Sequence, residues 1–334
     1  MSERVIILGD GAMATVCSIL LDHNGHDVTM WGAFPDAIER LRANREQTKL
    51  LPGVRVPDAV RLTADDADAL RDAEIAVLAI PTQYLRSVCM RLKPHVPTRL
   101  PIVSVAKGIE IETSLTPSQV IGEVLGKSNP LCVLSGPNIA GEIARRLPAS
   151  AVAASSDPAL AQRVQQLFST GWFRVYTNPD ALGVEIAAAT KNVIALAAGM
   201  LDGLGAGSNA KAALVTRGLV EIARLGVALG GRAETFSGLA GLGDLVTTCI
   251  SAEGRNRSVG ERLGRGERIA DILASMSSVA EGVPTTKAVV ALAHRRGIAM
   301  PIAEQVHRVL FEGKDASAAL ADLMSRDLKP ERTD

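Results

Sequence analysis

The chain has 334 residues, 47% apolar and 22% charged, a composition that belongs to folded globular proteins and is long enough for two domains with cores of their own. Its 36 basic and 36 acidic residues cancel, which excludes a basic field able to hold a nucleic acid backbone. Any anion must therefore be bound by a few placed cations and backbone amides.

Arg4–Leu8 reads as the first strand, four of its residues apolar, and runs into Gly9-x-Gly11-x-x-Ala14 and a helix over Ala12–Asn24. Strand, glycine turn and helix in that order suit a dinucleotide pyrophosphate. The first glycine makes the tight turn, the second admits the phosphates, and Ala14 keeps helix and strand close. An ordinary tight strand-to-helix turn has the same outline. Asp27–Trp31 is a second strand, Pro35–Asn44 a helix, Val60–Thr63 a strand and Asp65–Arg71 a helix. Ile75–Ile80 is a strand ended by Pro81, Thr82–Leu92 is helical, and Ile102–Val105 and Leu131–Leu134 are further strands. Ala149–Ala154 and Phe173–Tyr176 extend the sheet. Continuous apolar strands alternating with helices predict a mainly parallel, doubly wound sheet of the Rossmann type, covered on both faces.

From about Asp180 the strand signals stop. Helices are predicted over Leu182–Leu201, Asn209–Leu229, Arg257–Gly264, Thr285–Arg296, Ile302–Phe311 and Ala316–Met324. The expected division is a dinucleotide-binding α/β domain over 1–180 and an all-helical substrate-binding and catalytic domain over 181–334. Gly199-x-x-x-Gly203 and Gly226-x-x-x-Gly230 have the spacing of membrane dimer motifs, but in this charged context they read as close packing of helices. The polar tail 329–334 is expected to fray.

Ligands of open parallel sheets bind beyond the carboxyl ends of the strands. The second strand ends Trp31-Gly32-Ala33-Phe34, without the acid that usually meets an NAD ribose or the cation that meets an NADP phosphate; Asp36, Arg40 and Arg42 come late. Pro81-Thr82-Gln83 supplies small and polar residues suited to a nicotinamide ribose. Lys107, at a strand end before Gly108, is placed for an anionic substrate or is a solvated loop lysine. After Ser135-Gly136-Pro137, Asn138 either caps the next helix or offers its amide to a ligand.

Three clusters carry chemistry in the helical half. Lys191 and Asn192 sit between Ala189-Thr190 and Val193-Ile194; either the lysine snorkels and keeps its head wet, or it is desolvated and titrates nearer neutrality, where it can exchange a proton with an oxygen. Asp244 lies among glycines and apolar residues in Leu239–Thr248 and either pairs with a cation such as Lys191 or caps a helix. Gly254-Arg255-Asn256-Arg257 either offers bidentate contacts to a phosphate or is an exposed basic loop. Cys17, Cys89, Cys132 and Cys249 show no paired spacing and read as buried thiols in a reducing compartment. The five histidines form no metal-ligand pattern, and His23 and His26 read as surface residues. No signal-peptide plan and no apolar run long enough for a bilayer are apparent, so a cytoplasmic protein without a membrane span is expected.

Taken together these motifs resemble the NAD(P)-dependent glycerol-3-phosphate dehydrogenase family over nearly the whole chain, from Gly9 to the region of Gly313. The resemblance rests on Gly9-x-Gly11-x-x-Ala14, Ala106-Lys107-Gly108, Ser135–Ala140, Thr190–Ala195, Asn209–Leu214, Gly241–Leu245, Arg255-Asn256-Arg257 and Glu281-Gly282. It implies hydride transfer at C2 between dihydroxyacetone phosphate and sn-glycerol 3-phosphate, with NAD or NADP as cofactor and a product used in phospholipid synthesis. Lys191 would be the general acid/base and Asp244 would hold it. Lys107, Gly136, Asn138, Gly254, Arg255 and Asn256 would join them around the substrate, with the last two clamping its phosphate. Gly9, Gly11, Ala12, Met13, Ala14, Ala33, Lys107, Ala140, Arg255, Val279 and Glu281 would meet the cofactor. No metal is implied, and a homodimer is.

The chain departs from the family pattern in four places. Ala14 replaces the third glycine, Ala12 and Met13 replace a serine and an aromatic, Ala33 replaces a basic residue, and Gly254 replaces a serine. Three of these touch the cofactor end, which leaves the choice between NAD and NADP open. The alternatives are a two-domain reductase of another small anionic keto compound and a non-catalytic NAD(P)-sensing module.

Overall fold

The computed structural model describes residues 2–276, 279–328 and 330–331. Among these residues one sheet contains β1 (Arg4–Leu8), β2 (Asp27–Trp31), β3 (Arg61–Thr63), β4 (Ile75–Leu78), β5 (Ile102–Ser104), β6 (Leu131–Ser135), β7 (Ala149–Ala154) and β8 (Phe173–Asn178). Their order is β3-β2-β1-β4-β5-β6-β7-β8. Strands β1 to β6 pair in parallel, β7 runs antiparallel to β6, and β8 is parallel to β7. Residues of each central strand alternate between two cores. Val5, Ile7, Ile75 and Val77 enter one, and Ile6, Leu8, Ala76 and Leu78 enter the other. Period-two side chains in an apolar run fill both faces at once, as a helix-covered parallel sheet requires.

The helices packed on the sheet are α1 (Ala12–His23), α2 (Pro35–Asn44), α3 (Asp66–Leu70), α4 (Thr82–Leu92), α5 (Pro117–Leu125), α6 (Ala140–Ala144) and α7 (Pro158–Phe168). After β8 every described element is helical: α8 (Ala181–Gly203), α9 (Gly207–Ala228), α10 (Ala233–Phe236), α11 (Asp244–Ile250), α12 (Arg255–Gly264), α13 (Ile269–Ala274), α14 (Gly282–Arg295), α15 (Pro301–Phe311) and α16 (Ala316–Met324). A π-helical turn, Leu239–Gly243, leads into α11.

Helix α8 is the axis of the helical half, with its residues from Gly183 to Leu201 buried. It is long and apolar enough to cross a membrane, contrary to the expectation that no segment is, and its apolar window lies wholly inside the protein. Gly199-x-x-x-Gly203 is a packing motif. A Cβ on Gly199 would fall 1.9 Å from the Arg257 carbonyl oxygen and one on Gly203 2.2 Å from that of Glu261, both on α12. The second glycine pair is split: Gly226 packs against the Phe236 ring, while Gly230, at φ +103°, ends α9. Of the tail expected to fray, Lys329 and residues 332–334 lie outside the described residues.

Candidate active site

Strand β1 lies between β2 and β4, so the crevice beyond the carboxyl ends of β1 and β4 is the switch point of the sheet. Gly9 takes φ +128°, and a Cβ there would come within 2.5 Å of the Ala79 carbonyl oxygen, so this turn admits glycine alone. Gly11 is the N-cap of α1; no side chain caps the helix, and the nearest atom to a Cβ at Gly11 would be Leu50 Cδ1 at 3.8 Å. The first amides of α1 thus face an open cradle suited to an anion. Ala14 is fully buried. Ala12, Met13 and Ala140 are half-buried and pack against the core. Ala33 follows β2, and its carbonyl accepts Arg91 Nη1 at 3.0 Å. Two orphaned buried hydroxyls, Thr82 Oγ1 and Ser135 Oγ, follow β4 and end β6. These observations fit a dinucleotide. Gln83 faces elsewhere: it braces the next loop by donating to the Ile109 carbonyl and accepting from the Ile111 amide.

Lys107 extends from the loop after β5 and spends all three ammonium protons. It donates to the Gly136 carbonyl at 2.9 Å, Asn138 Oδ1 at 2.6 Å and Asp244 Oδ2 at 2.8 Å. Lys107 is therefore an ordered charge rather than a solvated loop lysine. Asn138 does not cap α6, whose N-cap is Ile139 without a side-chain bond. Gly136, at φ +149°, lies against the β7 backbone, where a Cβ would meet Ala151 Cα and the Ser150 oxygen at 2.9 Å.

Helices α8 and α11 bring Lys191 to Asp244. The lysine side chain is 7% exposed and the carboxylate 2%. Lys191 Nζ donates to Asp244 Oδ1 and to Thr248 Oγ1. The Thr248 hydroxyl sends its own proton to the Asp244 carbonyl at 2.7 Å, so it must accept from the lysine. Among the described residues, one of the three Lys191 N–H bonds has no acceptor and is left for another oxygen. Burial lowers the Lys191 pKa to about 8; Asp244 opposes the shift and the neighbouring Lys107 adds to it. In the sequence Thr248 only closes the Leu239–Thr248 segment and carries no assigned role, although its spacing of four from Asp244 puts both on one helix face.

Gly254 is the N-cap of α12, and a Cβ there would press on the Ser251 and Thr248 oxygens at 3.1 and 3.2 Å. Arg255 is exposed and donates Nη1 to the Val279 carbonyl at 3.1 Å. Asn256 is buried, and its Oδ1 accepts the Gly282 amide at 3.0 Å, which ties α12 to the start of α14. Arg257 is committed to Asp202 and Glu261 and is not a phosphate ligand. Glu281 Oε1 accepts the Thr82 amide at 3.0 Å. Burial raises the Glu281 pKa, against the attraction of Arg255 and Lys107.

A cavity of about 480 Å³ between α8, α9, α15 and α16 contains none of these residues. Among the described residues no group of histidine, cysteine, aspartate or glutamate side chains is arranged to hold a metal.

The sequence matches the family model of the NAD-dependent glycerol-3-phosphate dehydrogenase N-terminus over residues 4–161 and that of its C-terminus over 180–321. A glycerol-3-phosphate dehydrogenase [NAD(P)+] of Geobacter sulfurreducens is 47% identical over 334 residues, covering 99% of this chain and 100% of the relative. That of Citrifermentans bemidjiense is 45% identical, covering 99% of each. A crystal structure of glycerol-3-phosphate dehydrogenase from Coxiella burnetii superposes with a TM-score of 0.94 at 35% identity, over 97% of this chain and 99% of that one. With its dinucleotide crevice and its buried lysine–aspartate pair, the chain belongs to the NAD-dependent glycerol-3-phosphate dehydrogenase family.

Proposed function

We propose that this protein interconverts dihydroxyacetone phosphate and sn-glycerol 3-phosphate, with Lys191 moving the proton at the C2 oxygen. The observation that carries this reading is the buried Lys191–Asp244–Lys107 group, in which Lys191 keeps one uncommitted N–H. When bound, the nicotinamide dinucleotide supplies or accepts the hydride. In reduction, Lys191 donates its proton to the C2 oxygen as hydride reaches the carbon; in oxidation the neutral amine takes the proton back. Asp244 and Thr248 orient the ammonium. Lys107 adds positive charge where the oxygen becomes negative. Arg255 and the amides opening α12 hold the phosphate, with Gly254 giving close backbone approach and Asn256 fixing the helix start. The glycine turn Gly9–Ala14, Ala33, Ala140, Val279 and Glu281 surround the dinucleotide.

The same reading divides the chain into a dinucleotide-binding domain, 1–180, and a helical substrate domain, 181–334. It is supported by the change from strands to helices between Asn178 and Ala181. A cytoplasmic homodimer supplying phospholipid synthesis is part of the proposal. It rests on the family likeness and on four buried cysteines that carry no disulfide. The test is a steady-state assay with dihydroxyacetone phosphate, following loss of NADH and of NADPH absorbance. Turnover supports the reading. Cofactor binding without turnover would instead favour the sensing module, and turnover only with another small anionic keto compound the related reductase.

A further inference from the structure

We infer that Asp10, within the glycine turn, takes the place of the missing acid at the end of β2, holds the adenosine ribose and makes NADH the preferred cofactor. The inference rests on the dinucleotide reading of the crevice. In Rossmann sheets an acid near the end of β2 accepts the ribose hydroxyls of NAD and repels the 2′-phosphate of NADP. Here Gly32, directly after β2, is crowded on the side where a side chain would stand. A Cβ on Gly32 would lie 2.7 Å from Ile38 Cδ1 and 3.1 Å from Asp10 Oδ2. The Asp10 carboxylate therefore already occupies the strand end. Its backbone is fixed there by Gln47 Nε2, which donates to the Asp10 carbonyl at 2.7 Å.

The carboxylate also has unspent capacity. Among the described residues no side chain donates a hydrogen bond to it. Burial raises its pKa, with its own backbone amide and then the Arg40 charge pulling the other way. A partly desolvated acceptor gains most from two hydroxyl donors and loses most from a dianionic phosphate. The basic groups around this strand end do not offset it. Arg91 spends Nε and Nη2 on Asp66 and Nη1 on the Ala33 carbonyl, and Arg42 is held by Glu39 and the Leu62 carbonyl. Arg40, exposed on α2, attracts Asp10 and softens the discrimination without supplying a buried phosphate site.

The test is calorimetric titration of the intact protein with NADH and with NADPH, for the native chain and for Asp10→Asn and Asp10→Ala. Binding is read directly, so the result does not depend on the substrate. The native chain is expected to bind NADH more tightly. Both variants should lower the ratio of the NADPH Kd to the NADH Kd by about tenfold to a hundredfold, the equivalent of a charge-assisted hydrogen bond. Asn is isosteric with Asp, so Asp10→Asn carries the test should Asp10→Ala melt early. A ratio unchanged in Asp10→Asn overturns the role of Asp10 and leaves the dinucleotide reading standing. Failure of the native chain to bind either dinucleotide overturns both.

Discussion

At the scale of single residues, Lys191 is where burial and charge compete. Its pKa falls from an ordinary 10.5 to about 8 because desolvation outweighs the pull of Asp244. The sign of the pH dependence follows. Reduction needs the ammonium, so kcat for dihydroxyacetone phosphate should hold at low pH and fall as pH rises through about 8. Oxidation needs the amine, so kcat for glycerol 3-phosphate should rise through the same pH and then level. Lys191→Ala should cost roughly 10²–10⁴-fold in kcat while the dinucleotide Kd stays put; kcat within a few-fold of native would remove Lys191 from the chemistry. Asp244→Asn deletes the anion shared by two ammoniums. Breaking a buried pair in this way costs about 3–5 kcal/mol, read as a lower denaturant midpoint. The same change pushes Lys191 further down, so the falling limb of the reduction profile should move to lower pH. An unmoved limb would mean Asp244 does not set the lysine. This pairing was legible in the sequence because one carboxylate among glycines and leucines needs a cation. The committed protons of Lys107 were not legible: Asn138 and Gly136 reach it only after β5 and β6 pair.

At the scale of elements, the site depends on how closely α12 rides on α8. Four glycines line this seam. A Cβ on Gly260 would come 2.0 Å from the Leu196 oxygen and one on Gly264 2.4 Å from that of Met200, matching Gly199 and Gly203 opposite. Helix propensity alone favours alanine over glycine by about 1 kcal/mol. At Gly260 that gain is overridden, because neither backbone can give way without parting the helices. Gly260→Ala should therefore lower the melting temperature. It should also raise KM for the phosphorylated substrate more than it lowers kcat, since Arg255 and Asn256 open α12 while Lys191 stays on α8. Gly122, in α5, has nothing within 4 Å of its Cβ position, and Gly122→Ala should leave stability unchanged or raise it. Equal losses at both glycines would show that the seam is not special. Helix α8 itself was readable from its apolar run, Leu182–Leu201 against the observed Ala181–Gly203. Helix α7 was missed although Asp157 and Pro158 mark its start, the aspartate accepting the Ala159 amide at 2.9 Å. The reversed direction of β7 was not readable, because an apolar strand has the same composition either way and pairing is set by the connection.

At the scale of the molecule, the proposed active site draws on both the sheet and the helices, so whatever joins them also places Lys191. The change from strands to helices is legible in the sequence, but the fastenings between them span long separations and leave no local pattern. Lys107 to Asp244 and Thr82 to Glu281 are two such links, and Arg295 to Ser114 is a third. A fourth lies under the site. Glu185, buried in α8 less than two turns before Lys191, accepts the Ser118 amide at 2.8 Å and contacts its hydroxyl at 2.5 Å, at the start of α5. Burial raises the Glu185 pKa, outweighing these hydrogen bonds. A carboxyl with a raised folded pKa binds protons that the unfolded chain has released. Its contribution to stability is therefore greatest at low pH and declines as pH climbs from its ordinary 4.5 toward the raised value. Gln mimics the protonated acid and can still accept the Ser118 amide, so Glu185→Gln should keep native stability near neutrality and flatten that pH slope. Glu185→Ala orphans the amide and hydroxyl, at about 1–3 kcal/mol, and frees α8 from α5. It should lower kcat with little change in dinucleotide affinity, because the glycine turn lies on other elements. Denaturant unfolding across pH and paired kcat and Kd measurements decide the matter. If Glu185→Gln is as unstable as Glu185→Ala, the fastening works as an ionised carboxylate at the α5 N-terminus rather than as a neutral hydrogen-bonded one.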